Sequence, residues 1–469
     1  MAYQVRLAVS PWLVALGSLT ALRLLMAALL PLSPDEAYYW IWSVHLQPGY
    51  FDHPPMVALW IRAGTELLGT NPLGVRLLGP LAAAAGSVLL WDAGERLFPG
   101  RHAGLTAAAL FNATLVVGVG SVLMTPDTPL IFFWTACIAA TGRWLASRDD
   151  RWWLAIGAAA GAALLSKYTG LLLIAAIGLW LLTSGPRRLV LRSPWPWLGL
   201  VLAGAVFAPD IYWNATHHWV SYLKQGGRVV AFDFGRSAQY LAELIIGQLG
   251  LATPLVAGLV AVGLWRLRRV HDDAARLLLW LTLLPGVVFV EHVLSGRVEP
   301  NWPAIIFMPA CLAAAALAPP LLDKWLRSAL GVGFACTLVV YVQALAAPFP
   351  IPAAQDPVAL QLSGWPEFLG QFGSPVPAFI TSEDYTTLAE LAWAGPPGVA
   401  IVASGTRWHD LSLPVVSGTA SGLSVSRHIN GDCAMPLGTR NRMRGDDPAM
   451  SYYVCVVNTP PDAMRLPHP

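Results

Sequence analysis

Apolar residues fall in long unbroken blocks over residues 1–347 and in short blocks after them. A block of about 20 apolar residues is the length of helix that crosses a bilayer. Eleven runs read this way, near 9–31, 77–97, 103–121, 129–146, 152–166, 169–184, 196–213, 241–264, 276–294, 303–321 and 328–347. The fifth and sixth are short and are parted only around Lys167. The pattern changes at 348–355, a proline-rich linker. Beyond it, 378–381, 398–404 and 452–457 are rich in β-branched and aromatic residues and predict strands. Residues 383–394 have helical spacing, with Ser382 as the expected N-cap. The expected fold is an all-α polytopic membrane body, 1–347, with interfacial helices in its first outer loop. A small α/β domain, 348–469, follows it.

Composition agrees. The chain is 56% hydrophobic and 12% charged, against about 25% charged in a soluble domain. That excludes a disordered chain and an ordinary soluble enzyme. A net charge of +2 gives no footprint for a nucleic-acid partner. The charge is unevenly spread. Residues 1–347 hold 23 Lys/Arg against 17 Asp/Glu, and 348–469 hold 6 Arg against 10 acids. With the N-terminus inside, the inner loops collect most basic residues, among them Arg6, Arg96, Arg143, Arg187, Arg266 and Arg276. An odd number of spans then puts the C-terminal domain outside. The first run lacks a cleavage pattern and reads as an uncleaved anchor. A ratio of 26 Arg to 3 Lys suggests a GC-rich bacterial genome, so the expected site is the inner membrane, with the outer side periplasmic. An oxidising compartment permits a disulfide between Cys433 and Cys455. Two free thiols are the alternative.

The scarce acids draw attention to the segment after the first run. Ser33-Pro34-Asp35-Glu36-Ala37-Tyr38-Tyr39-Trp40 is followed by Phe51-Asp52-His53-Pro54-Pro55. Adjacent carboxylates beside a membrane are costly unless solvated, paired or used. The aromatic residues fit an interface belt. In the plainer reading, Asp35 caps a short helix that starts at Pro34. These two motifs resemble the first outer loop of the GT-C glycosyltransferases related to bacterial protein O-mannosyltransferases and aminoarabinose transferases, a family described as dolichyl-phosphate-mannose-protein mannosyltransferase-like. The resemblance continues at Thr125-Pro-Asp127-Thr-Pro129, Ser166-Lys167-Tyr168-Thr-Gly170, Trp213-Asn-Ala215 and Arg297-Val-Glu299-Pro-Asn301-Trp302.

The resemblance implies a GT-C fold and an inverting transfer. A sugar would pass from a polyprenyl (undecaprenyl) phosphate carrier to a hydroxyl of a lipid, glycan or protein, as in lipid A or cell-envelope glycan modification. Asp35 matches the family's first-loop catalytic acid and is the expected base. It could instead hold a divalent cation such as Mg, Mn or Zn. Glu36 and Asp127 are the further catalytic candidates. Glu36 points about 100° from Asp35 on a helix, which favours a supporting or salt-bridge role. Asp127 is an N-cap in the plainer reading. His53 stands where some relatives carry a lysine against the lipid phosphate, and Lys167 and Arg297 are the other phosphate candidates. Asp52, Tyr38, Tyr168, Glu299 and Asn301 are expected to bind substrate. Arg23, inside the first run, is expected to snorkel or to pair with an acid. The runner-up is a lipid or sugar transporter, which requires mid-membrane charges and matching broken helices in two halves.

Overall fold

The computed structural model describes residues 10–226, 233–317, 319–372, 377–395, 398–428, 431–460 and 462–469. Arg6 lies outside them. Among the described residues six helices are long and apolar enough to cross a membrane, or nine if each of three bent pairs counts as one span. Two shorter apolar helices are Trp152–Ser166 and Trp302–Ala316. Each of the eleven apolar runs falls on one of these elements. The run at 241–264 is not straight: helices Phe234–Ala252 and Pro254–Leu267 meet at 105°. Thr253 between them has φ +64°, a left-handed conformation that breaks the helix, and Pro254 lacks an N–H to continue it. Along the long helices, large apolar side chains such as Leu13, Leu25, Val201 and Leu338 stay exposed. Lipid is the solvent that suits such a surface.

Helix α1 (Pro11–Leu29) leads into α2 (Pro34–Val44) and α3 (Met56–Leu68). Ser33, not Asp35, caps α2. The Ser33 hydroxyl accepts from Glu36 N–H, and Glu36 Oε2 accepts from Ser33 N–H at 3.0 Å. This is a capping box with Pro34 at the first turn. It leaves the Asp35 carboxylate uncommitted to the helix.

The C-terminal domain has a six-stranded sheet in the order β4-β5-β3-β1-β2-β6. Its strands are β1 (Phe379–Thr381), β2 (Ala400–Ala403), β3 (Ser421–Ser426), β4 (Met435–Arg444), β5 (Asp447–Asn458) and β6 (Met464–Arg465). β1 runs parallel to β2 and β3, and the other pairs are antiparallel. Sequence missed β4, because Pro436, Gly438 and three arginines hide it and its first seven residues are exposed. The helix between β1 and β2 is Tyr385–Ala394, capped by Asp384 rather than Ser382: Asp384 accepts from the N–H groups of Thr386 and Thr387. Cys433 and Cys455 form a disulfide.

The aromatic cluster of α2 is not an interface belt. Tyr38, Trp40 and Trp42 are at most 2% exposed. One hydrophobic core joins them to Val57 and Ile61 of α3 and to Trp365, Leu388, Leu391 and Trp408 of the C-terminal domain. Trp40 meets Trp393 edge-on at 5.0 Å. Full burial of such a side chain contributes about 1.5–3 kcal/mol. The domain is therefore a fixed wall against the first loop.

Candidate active site

A cavity of about 710 Å³ opens between the helical body and residues 349–362 of the C-terminal part. Asp35, Ser33, Thr125, Asp127, Thr128 and Asn301 give it a polar patch. Phe111, Leu115, Ile131 and Val339 are among its apolar walls. Two of the predicted acids, from loops some 90 residues apart, thus share one chamber.

Asp35 is half-buried. The Tyr385 hydroxyl, from the C-terminal domain, donates to its Oδ1 at 3.3 Å. Burial pushes the Asp35 carboxyl above the usual carboxylate range. The Tyr385 hydrogen bond and the Arg407 charge oppose this, and the neighbouring charges of Asp52 and Glu36 add to it. A base acts only when ionised, so activity should fall as pH drops through this raised pKa. Tyr385→Phe removes a bond to the ionised form. The acidic limb of the rate profile is expected to move to higher pH, and an unmoved limb would show that Tyr385 does not act on Asp35.

Glu36 is not at the chemistry. Its side chain is fully buried and faces Arg76, with Nε–Oε1 at 2.7 Å and Nη2–Oε2 at 2.6 Å. It also accepts from Met124 N–H at 2.9 Å. Every strong acceptor direction is taken, so it serves as a latch between α2 and the 120–124 turn and not as a catalyst.

Asp127 does not cap its helix. Its Oδ1 accepts from Lys167 Nζ at 2.7 Å and its Oδ2 from Asn301 at 2.6 Å. Lys167 also lies over the Trp302 ring at 5.8 Å. The predicted Asp127, Lys167 and Asn301 therefore meet, but as a neutralised pair and not as a free base and a free phosphate cation. Arg297 and Glu299 lie elsewhere. Arg297 bonds to Glu243 at 2.8 Å, sits 3.9 Å from Glu299, and lines a separate cleft.

Asp52 accepts from the Tyr38 hydroxyl at 2.9 Å and pairs with Arg407. Arg407 stacks on Tyr385 at 4.0 Å and lies 5.2 Å from the Phe51 ring, which Lys224 approaches from 5.7 Å. His53 lies beside Tyr39, ring centres 6.2 Å apart. Tyr168 donates to Asp210 at 3.3 Å, in a buried cluster completed by Tyr222 and Asn214. This ties it to structure and away from the Asp35 chamber. Arg23 neither snorkels nor meets an acid: it is fully buried and donates to Asn112 at 2.9 Å.

Sequence reasoning missed Tyr385, Arg407, Lys224 and Asp210. Lys224 is one of three lysines and Asp210 interrupts an apolar run, so the argument that singled out Lys167 would have reached both. Nothing local marks Tyr385 or Arg407. Among the described residues no three His, Cys, Asp or Glu side chains gather as a metal-ligand set.

The helical body, its acidic first loop and its apolar chamber resemble the GT-C fold. Across 96% of this chain and 98% of that one, the protein superposes on ArnT from Cupriavidus metallidurans bound to undecaprenyl phosphate, with a TM-score of 0.64 at 16% identity. The apo state of the same protein gives 0.61 over 95% and 97%, at 17% identity. Residues 52–213 match the family described as dolichyl-phosphate-mannose-protein mannosyltransferase, which is the resemblance the loop motifs carried. The lipid A galacturonosyltransferase RgtD of Rhizobium johnstonii is 27% identical over 307 residues. That alignment takes in 65% of this chain and 64% of the relative's length.

Proposed function

We propose that this protein transfers a sugar from a polyprenyl-phosphate carrier to a hydroxyl of a lipid-anchored glycan resembling lipid A. The reaction takes place on the side of the inner membrane that bears the C-terminal domain, the periplasmic side. The observation that carries this reading is the pair Asp35 and Asp127 in one chamber with apolar walls. A lipid chain needs such walls, and the reacting end needs polar groups beside them.

In the proposed step, Asp35 takes the proton of the acceptor hydroxyl. The freed oxygen forms a bond to the anomeric carbon from the face opposite the phosphate. The bond from that carbon to the phosphate oxygen breaks, its electrons leave with the lipid phosphate, and the anomeric centre inverts. Lys224, which lies over the Phe51 ring, and the N–H of the neighbouring His53 suit the departing phosphate. They replace Arg297 in that role. Asp127, held by Lys167 and Asn301, positions the acceptor. The transporter reading loses ground because Asp35 and Asp127 lie at loop ends and not in matched broken helices.

The test is reconstitution of the full chain in lipid nanodiscs with polyprenyl-phosphate-linked galacturonic acid and lipid A. Mass spectrometry is expected to find lipid A one hexuronosyl unit heavier and the carrier returned as polyprenyl phosphate. Loss of donor without any glycosylated lipid would overturn the acceptor. No turnover with uronic, neutral or amino sugar donors would overturn the transferase reading itself.

A further inference from the structure

Beside the Asp35 chamber lies a second cleft, of about 390 Å³, among whose lining residues are Asp233, Arg236, Tyr240, Arg297, Glu299 and Trp302. Its size falls in the range of small-molecule sites, roughly 300–1,000 Å³. We propose that it binds the sugar headgroup of the acyl-anchored acceptor. This rests on the transferase reading and adds to it the place where the second substrate docks.

The charges of the cleft identify the ligand class. Arg297 is bonded to Glu243 at 2.8 Å and lies 3.9 Å from Glu299, and Arg236 lies 3.7 Å from Asp233. Each guanidinium is already faced by a carboxylate, so the cleft is close to neutral. That is wrong for capturing a bare phosphate and right for an array of hydroxyls, which need donors and acceptors side by side. Tyr240 and Trp302 add aromatic faces for the C–H face of a sugar ring. Arg297 and Glu299 are 56% and 50% exposed, so a ligand can reach them.

Position identifies the anchor. Arg236, Tyr240 and Glu243 are spaced three and four apart on the Phe234–Ala252 helix and so share one face. The opposite face carries Leu241, Ile245 and Leu249, all exposed. One side of the helix thus suits acyl chains while the other lines a polar cleft. The cleft also adjoins the chemistry. Asn301 donates to Asp127, and the next residue, Trp302, lines the cleft. A headgroup seated there is one backbone step from the Asp127 wall of the chamber.

The test measures acceptor binding without turnover. Native mass spectrometry of the full chain in detergent is run with lipid A and with dephosphorylated lipid A, in the absence of donor. Tyr240→Ala and Glu299→Gln are each expected to weaken both ligands about tenfold, equivalent to about 1.4 kcal/mol. Tyr240→Phe, which keeps the ring, is expected to stay within about twofold of the parent. Binding of polyprenyl phosphate serves as the control for fold and is expected to hold in all three variants. Unchanged lipid A binding in both Tyr240→Ala and Glu299→Gln overturns the proposal. A loss confined to the phosphorylated ligand overturns the sugar class in favour of phosphate recognition. Because binding is read without donor, failure of the cleft is distinct from failure of the transferase reading, which the reconstituted assay reports.

Discussion

Asp35→Asn is expected to lower sugar transfer by about 10²–10⁴-fold, the range that a positioned general base supplies, while the protein stays folded and membrane-bound. The expectation follows from how little else Asp35 does. Ser33 and Glu36 cap α2 between them, so no helix end depends on Asp35. Its one hydrogen bond among the described residues comes from the Tyr385 hydroxyl at 3.3 Å, and an asparagine carbonyl can still accept it. Fold and donor binding should therefore survive. The measurement is the initial rate in nanodiscs beside thermal unfolding of the same sample. A rate within threefold of the parent would move the base elsewhere, and Asp127 would then have to give up its bond to Lys167 to serve.

Arg76→Ala is expected to cost about 3–5 kcal/mol of stability, the penalty for stripping one partner from a buried ion pair. Arg76 and Glu36 are both fully buried. Arg76 also donates to the carbonyls of Leu30 at 2.7 Å and Pro31 at 2.7 Å, where α1 ends. Removing it leaves a naked carboxylate in the core and orphans the carbonyls at the end of that helix. Replacing both members by apolar residues, Glu36→Met with Arg76→Leu, should recover much of the loss, because the charge that needed a partner is gone. Thermal unfolding in detergent checks both. A single variant as stable as the parent would mean that water reaches Glu36.

The eleven apolar runs were legible because a bilayer demands long blocks of one kind of residue. What was not legible lies where that demand stops. The first loop reads as an interface belt from Tyr38 to Trp42, since an aromatic cluster after a span has the same composition whether lipid or protein covers it. Only the fold shows that residues some 350 positions later provide the cover. The pairs at the site divide the same way. Asp35 and Asp127 each sit in a motif, so both were found. Arg76, Tyr385 and Arg407 sit in none, yet they decide which carboxylate is latched and which is available. Glu36 and Asp35 are neighbours in sequence, and their separation into a latch and an uncommitted carboxylate comes from a capping box that points one inward and leaves the other to the chamber.

The shared core of the first loop and the C-terminal domain has a consequence for how the molecule is made. Asp35 leaves the ribosome early. Tyr385, its hydrogen-bond donor, follows 350 residues later, roughly 20–70 s at bacterial rates of chain growth. During that interval the loop has no wall, its aromatic residues lack their partners, and the acid stands in water with an ordinary affinity for protons. A chain interrupted before the last hundred residues would insert most of its helices and still lack a finished site.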